Sequence, residues 1–69
     1  MSIAKVIEVI SEGGSMEEAM ENALREASKT VQNIRQIDVD HVYAVVENNR
    51  IVKYRIDTRV SFVVKSKAA

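Results

Sequence analysis

From Ile51 to Val64 the chain alternates in character. Val52, Tyr54, Ile56, Thr58, Val60, Phe62 and Val64 fall on one side of an extended backbone, and Ile51, Lys53, Arg55, Asp57, Arg59, Ser61 and Val63 on the other. A period of two held this long predicts a strand with one buried face. Residues 3–10 alternate as well, with Ile3, Lys5, Ile7 and Val9 opposed to Ala4, Val6, Glu8 and Ile10, and predict a first strand. Ser11-Glu12-Gly13-Gly14 interrupts that pattern. Beyond it the period changes. Met16, Met20, Ala23, Leu24, Ala27, Val31 and Ile34 recur at spacings of three and four, one face of a helix. Ala19, Ala23 and Ala27 are small enough to let that helix lie close to a sheet.

The helix has its own start signals. Ser15 followed by Glu18 fits a capping box, in which hydroxyl and carboxylate each satisfy a free backbone N–H. Glu17 and Glu18 suit the positive helix start and Lys29 the negative end, while Glu21 and Arg25 are spaced as an i,i+4 ion pair. A second strand is predicted from about Arg35 to Val46. Asn48-Asn49 follows, and asparagine tolerates the left-handed backbone of a two-residue hairpin turn. A turn there sets Tyr43 opposite Tyr54, Val45 opposite Val52, Val39 opposite Thr58 and Ile37 opposite Val60. On the other face it sets Asp38 opposite Arg59 and Asp40 opposite Asp57.

The element order is β-α-β-β. The expected fold is α+β: a three-stranded sheet of antiparallel type wrapped around one helix, residues 1–69 forming a single domain. A right-handed crossover through the helix makes the first two strands parallel, with the third antiparallel between them. A helix of about 17 residues is roughly 25 Å long, whereas a final strand of about 14 residues is roughly 46 Å. Half of the strand would then project beyond its helix, which points to burial by other copies of the chain.

Composition sharpens that inference. At 69 residues the chain is near the lower limit for a self-sufficient core, and it has no cysteine with which to staple one. Its ten basic and ten acidic residues cancel, so no bulk attraction to nucleic acid or to an anionic membrane is expected. No apolar run is long enough to span a bilayer and no basic-then-apolar leader opens the chain, so a cytoplasmic setting is expected.

Candidate chemistry is sparse. Asp40 facing Asp57 would repel unless a hard cation such as Ca²⁺ bridges them or Arg55 and Arg59 neutralise them; the arginines are the simpler answer, since two carboxylates are too few ligands for calcium. His41, between Val39 and Tyr43, reads as a packing residue on the apolar face. Tyr43 and Tyr54 could stack on a planar ligand, but as a facing pair on the helix side they read as core. Met16 and Met20 read as fillers of the helix face. Gly13-Gly14 could present N–H groups to a phosphate, or form a plain turn. No nucleophile, base and orienting group can be assembled, so no enzymatic activity is expected.

The segments KVIEVI, EASKTVQNI and YRIDTRVSFVV together resemble the dodecins across nearly the whole chain. That resemblance implies a hollow homododecamer that binds or stores a small ligand, with flavin (FMN or riboflavin) held between symmetry-related tryptophans and a last-strand glutamine on the ring edge. The position matching the tryptophan is Gln36, and the position matching the glutamine is Arg55. The chain has no tryptophan at all, which argues against tight flavin binding of the family type. Gln36, Asp38, Arg55 and Asp57 would form a polar pocket there for a small planar or anionic ligand. The alternative is a structural or calcium-binding assembly without flavin, with Asp40 and Asp57 as the metal ligands.

Overall fold

The computed structural model describes residues 2–65; the two ends of the expected 1–69 domain lie outside the described residues. The elements are β1 (Ser2–Gly13), α1 (Met16–Ser28), β2 (Ile34–Glu47) and β3 (Arg50–Lys65). The sheet order is β1-β3-β2, with β3 antiparallel to both neighbours. This is the predicted topology.

Helix α1 starts as its sequence dictates. The Ser15 hydroxyl accepts from the Glu18 N–H at 3.0 Å, and the Glu18 carboxylate accepts from the Gly14 N–H at 3.0 Å. The Gly14 and Glu18 amides are thereby taken by the chain's own acceptors, which favours the plain-turn reading of Gly13-Gly14. Arg25 donates to the Asn22 side chain at 3.0 Å instead of pairing with Glu21. The helix stops earlier than the periodicity suggests. Thr30 and Val31 both donate to the Ala27 carbonyl, and Asn33 turns the chain with a left-handed φ of 61°. Val31 therefore lies past the helix and Ile34 opens β2. β-Branched Thr30 and Val31 favour this exit over another helical turn.

The buried helix stripe is Ala19, Ala23 and Ala27. It packs against Ile56, Thr58, Val60 and Phe62 of β3, which are the other buried side chains. Thr58 is satisfied inside this core by donating its hydroxyl to the Val9 carbonyl at 2.7 Å. Met16 and Leu24 are each 41% exposed, so the helix's larger apolar side chains are not its core face. Two side-chain bonds pin the helix to the end of β1: Ser11 Oγ donates to the Ala19 carbonyl at 2.6 Å, and Asn22 Nδ2 to the Glu12 carbonyl at 2.8 Å. Gly13 permits that closeness, because a Cβ there would sit 2.6 Å from the Ala19 backbone nitrogen.

The β2–β3 hairpin turns at Asn48 and Asn49, with φ of 52° and 60°. Between Asn49 and Thr58 the register departs from the simple reading. Ile37 faces Val60, Asp38 faces Arg59 and Val39 faces Thr58, as expected, but the next pair is His41 with Asp57. Asp40 is left unopposed as a β-bulge, and the residues from His41 to Val45 change face. Val42 and Ala44 now oppose Ile56 and Tyr54 on the helix side, while His41 and Tyr43 oppose Asp57 and Arg55 on the open side. The expected Tyr43–Tyr54 and Asp40–Asp57 pairs therefore do not form, and His41 is not a packing residue of the apolar face. Val45, still displaced, opposes Lys53 rather than the expected Val52, and a further shift between Val45 and Val46 restores the simple pairing at Val46–Ile51 and Glu47–Arg50.

The 13-residue helix is about 20 Å long against about 53 Å for the 16-residue β3. The molecule measures 60 × 19 × 13 Å, and its radius of gyration is 14.7 Å, where a compact chain of this length would have about 11 Å. Gly13→Ala should separate helix from sheet and destabilise the chain by about 1–3 kcal/mol. Gly14→Ala should be nearly silent, because its Cβ would meet only the Glu18 carboxylate at 3.8 Å. Urea unfolding of the two variants checks this contrast.

Candidate functional site

The open side of the sheet, away from α1, carries the polar chemistry. Alternation and register place Glu8 and Glu12 of β1, Gln36, Asp38, His41 and Tyr43 of β2, and Lys53, Arg55, Asp57 and Arg59 of β3 on this one face. All four residues selected from sequence as ligand contacts, Gln36, Asp38, Arg55 and Asp57, share it. They do not converge within one chain. Gln36 opposes Ser61 whereas Arg55 opposes Tyr43, and Ser61 and Arg55 are about 20 Å apart along β3. A single pocket containing both would need a second copy of the chain.

Two local groups result. At one end Gln36 Nε2 donates to Asp38 Oδ1 at 2.7 Å. Toward the hairpin lies a denser group. The Glu12 carboxylate is clamped between Lys53 Nζ, 3.0 Å from Oε1, and Arg55, whose Nε and Nη2 each lie 2.9 Å from Oε2. These contacts hold the Glu12 pKa below its ordinary value, with the Lys53 bond the larger cause and the Arg55 bond the next. The clamp was not legible from sequence, because it depends on the β1–β3 register. It means that an anionic ligand seeking Arg55 must compete with Glu12.

Next along the face are Asp40, His41, Asp57 and Glu8. Arg59 Nε lies 3.1 Å from Asp40 Oδ2, so the arginine expected beside Asp38 pairs with the bulge residue instead. His41 Nδ1 lies 3.7 Å from Asp57 Oδ2. Asp57 Oδ1 is buried and has no hydrogen-bond donor. Glu8 lies against Asp57, and a proton on Glu8 would be shared between the two carboxyls; that bond, then the charge of Asp57, raises the Glu8 pKa. Asp40 and Asp57, the candidate metal ligands, are offset by the bulge rather than directly opposed. Among the described residues no three His, Asp or Glu side chains are arranged to hold a metal ion.

The bulge also creates an aromatic surface. The His41 and Tyr43 rings stack with centroids 6.2 Å apart and planes 21° from parallel. Tyr43 is 51% exposed and the His41 side chain 63%. Elsewhere, a concavity of about 310 Å³ opens between the α1–β2 connection and the end of β3, from Phe62 to Val64. No charged side chain lines it, and none of the selected site residues does. No helix among the described residues is long and apolar enough to cross a membrane.

The two perturbed carboxylates predict opposite pH effects. Glu12 has a folded pKa below its ordinary 4.5, so its stabilising contribution is complete above that value and is lost as pH falls through the folded pKa. Glu12→Gln should therefore melt below the parent at pH 7, and the gap should close on acidification. Glu8 has a raised pKa, so the folded state favours its protonated form and is disfavoured as pH rises past the folded value. Glu8→Gln should melt above the parent at pH 7. Melting curves across pH 3–8 read both differences.

Comparison with known proteins agrees with this architecture. A Thermus thermophilus protein of known crystal structure superposes with a TM-score of 0.88 at 19% identity, over 97% of this chain and 100% of that one. The dodecin from Streptomyces davaonensis superposes at 0.85 with 18% identity over 94% and 97% of the two chains. The dodecin from Streptomyces coelicolor superposes at 0.85 with 19% identity over 96% of each. Identities this low speak for the fold alone. Among curated protein sequences none matches the chain. The family model Dodecin matches residues 3–65, and with nearly the whole described chain inside that match, the protein belongs to the dodecin family.

Proposed function

We propose that this chain assembles as a homododecamer and binds or stores a small ligand without catalysing a reaction. The observation that carries the reading is the apolar surface one chain leaves uncovered. Met16 and Leu24 on the helix, Val42 on the helix side of the sheet, and Val46, Ile51 and Val52 near the hairpin tip are all exposed, between 41% and 57%. So many exposed large apolar side chains on so small a chain are an interface signature. Family membership supports the dodecamer and favours ligand storage over catalysis.

The family ligand is flavin, and the open side of the sheet is where it would lie. The positions that would hold it carry Gln36 and Arg55, and Arg55 is engaged by Glu12. A ligand touching both positions would take them from different subunits. With no indole on either face of an isoalloxazine ring, stacking worth about 0.5–1.5 kcal/mol per aromatic pair is absent at that position. Flavin binding should accordingly be weak.

Two measurements test the reading. Native mass spectrometry should find the mass of a dodecamer, and a stable monomer at micromolar concentration would overturn the assembly. Riboflavin fluorescence should be quenched little by the parent protein, more by Gln36→Trp, and more again when Arg55→Gln is added. Tight quenching by the parent would show that the lost indole does not matter. In the same samples, a calcium-dependent rise in melting temperature that disappears in Asp40→Asn and Asp57→Asn would favour a bridging cation at those carboxylates.

A further inference from the structure

The β-bulge at Asp40 moves an aromatic pair onto the ligand-bearing face, and that pair lies beside an unmet demand for hydrogen-bond donors. His41 and Tyr43 stack on the open side and remain largely exposed. The cations around them already have carboxylate partners. Arg59 holds Asp40, while Lys53 and Arg55 hold Glu12. The carboxylates are not matched in return. Glu8 lies against Asp57, the His41 ring is 3.7 Å from Asp57 Oδ2, and Asp57 Oδ1 is buried with no hydrogen-bond donor.

From this we infer that His41 and Tyr43 form a stacking platform for a flat, cationic heteroaromatic ring carrying amino or ring N–H donors, with Asp57 as its polar partner. The inference deepens the ligand-binding reading above and names a different subsite from the Gln36 position. Ring faces recognise a planar cation through their negative quadrupole. The surplus of carboxylate over cation beside the platform selects positive charge and donors over an anion. An anionic ring would have to break the Glu12 clamp to find a free cation. A cationic ring offers a donor to Asp57, whose Oδ2 has a 3.7 Å contact with His41 but whose Oδ1 has no hydrogen-bond donor, and a buried oxygen of that kind gains most from being satisfied.

The probe is proflavine, a flat diaminoacridine cation, with FMN as the anionic counterpart. Fluorescence anisotropy should show proflavine binding to the parent protein and FMN binding at least tenfold more weakly. Tyr43→Phe keeps the ring and should leave proflavine affinity within about twofold, whereas Tyr43→Leu should lower it at least tenfold. Asp57→Asn should lower it as well and flatten its salt dependence. Tyr43 is exposed, so its variants should assemble; if Tyr43→Leu does not, His41→Leu supplies the same comparison. Equal binding to the leucine and phenylalanine variants would overturn the platform. If binding instead disappears in Gln36→Ala while Tyr43→Leu binds normally, the ligand-binding reading stands and this subsite does not. If neither proflavine nor any flavin binds the assembled protein, both fall.

Discussion

The helix is too short for its sheet, and most of this molecule's character follows from that mismatch. Its alanine stripe covers only the stretch of β3 from Ile56 to Phe62. Small side chains bring the helix so close that Gly13 is needed where it meets β1, which makes this corner tight but shallow. Burying a few alanines removes little apolar area per residue, and at about 25 cal/mol per Å² it gives a single chain a modest driving force. The larger apolar side chains are displaced outward, to Met16 and Leu24 on the helix and to the hairpin beyond it. A helix that turns its small residues inward and its large ones outward leaves apolar area that the proposed association would bury.

The same geometry explains which parts of the fold were legible in the sequence. Strand periodicity, the capping box and the Asn48-Asn49 turn act over a few residues and located their elements, although β1 does not break at Ser11 as its pattern suggests but runs on, paired with β3, to Gly13. Strand order followed, since a right-handed crossover and a hairpin leave little other choice. The helix end was less legible, because Val31 and Ile34 continue its apolar spacing although Asn33 turns the chain out of it. Periodicity alone cannot separate a further helical turn from an apolar connection that leads into a strand.

The bulge was the consequential miss. Counting outward from the turn gives the right pairs from Ile37 to Val39, and gives them for a reason that hides the error. Two compensating irregularities lie between that stretch and the turn: Asp40 is extra on β2, and Val52 is extra on β3. The registers at either end therefore agree with a simple hairpin while the middle is displaced by one residue. Across that middle His41, Tyr43 and Val45 exchange faces with Val42 and Ala44. Both sides of the middle segment contain apolar residues, so hydrophobic pattern could not arbitrate. Its one sequence trace is the run Asp40-His41-Val42-Tyr43, where the strict alternation of Ile37, Asp38 and Val39 gives out.

Electrostatics on the open side depend on that displacement. With Asp40 lifted out of register, Arg59 reaches it, and Asp57 is left opposite a histidine instead of a second aspartate. The carboxylate repulsion that the simple register required is thus avoided on β2, but it reappears from β1, where Glu8 crowds Asp57. Four strand positions, Glu12, Arg55, Asp40 and Arg59, therefore form ion pairs that tie β3 to its two neighbours and leave Glu8 and Asp57 between them. Surface pairs of this kind contribute little stability singly. Their larger effect bears on the proposed subsite: by occupying the arginines and lysine, they leave the His41–Tyr43 surface better matched to a ligand that brings its own positive charge.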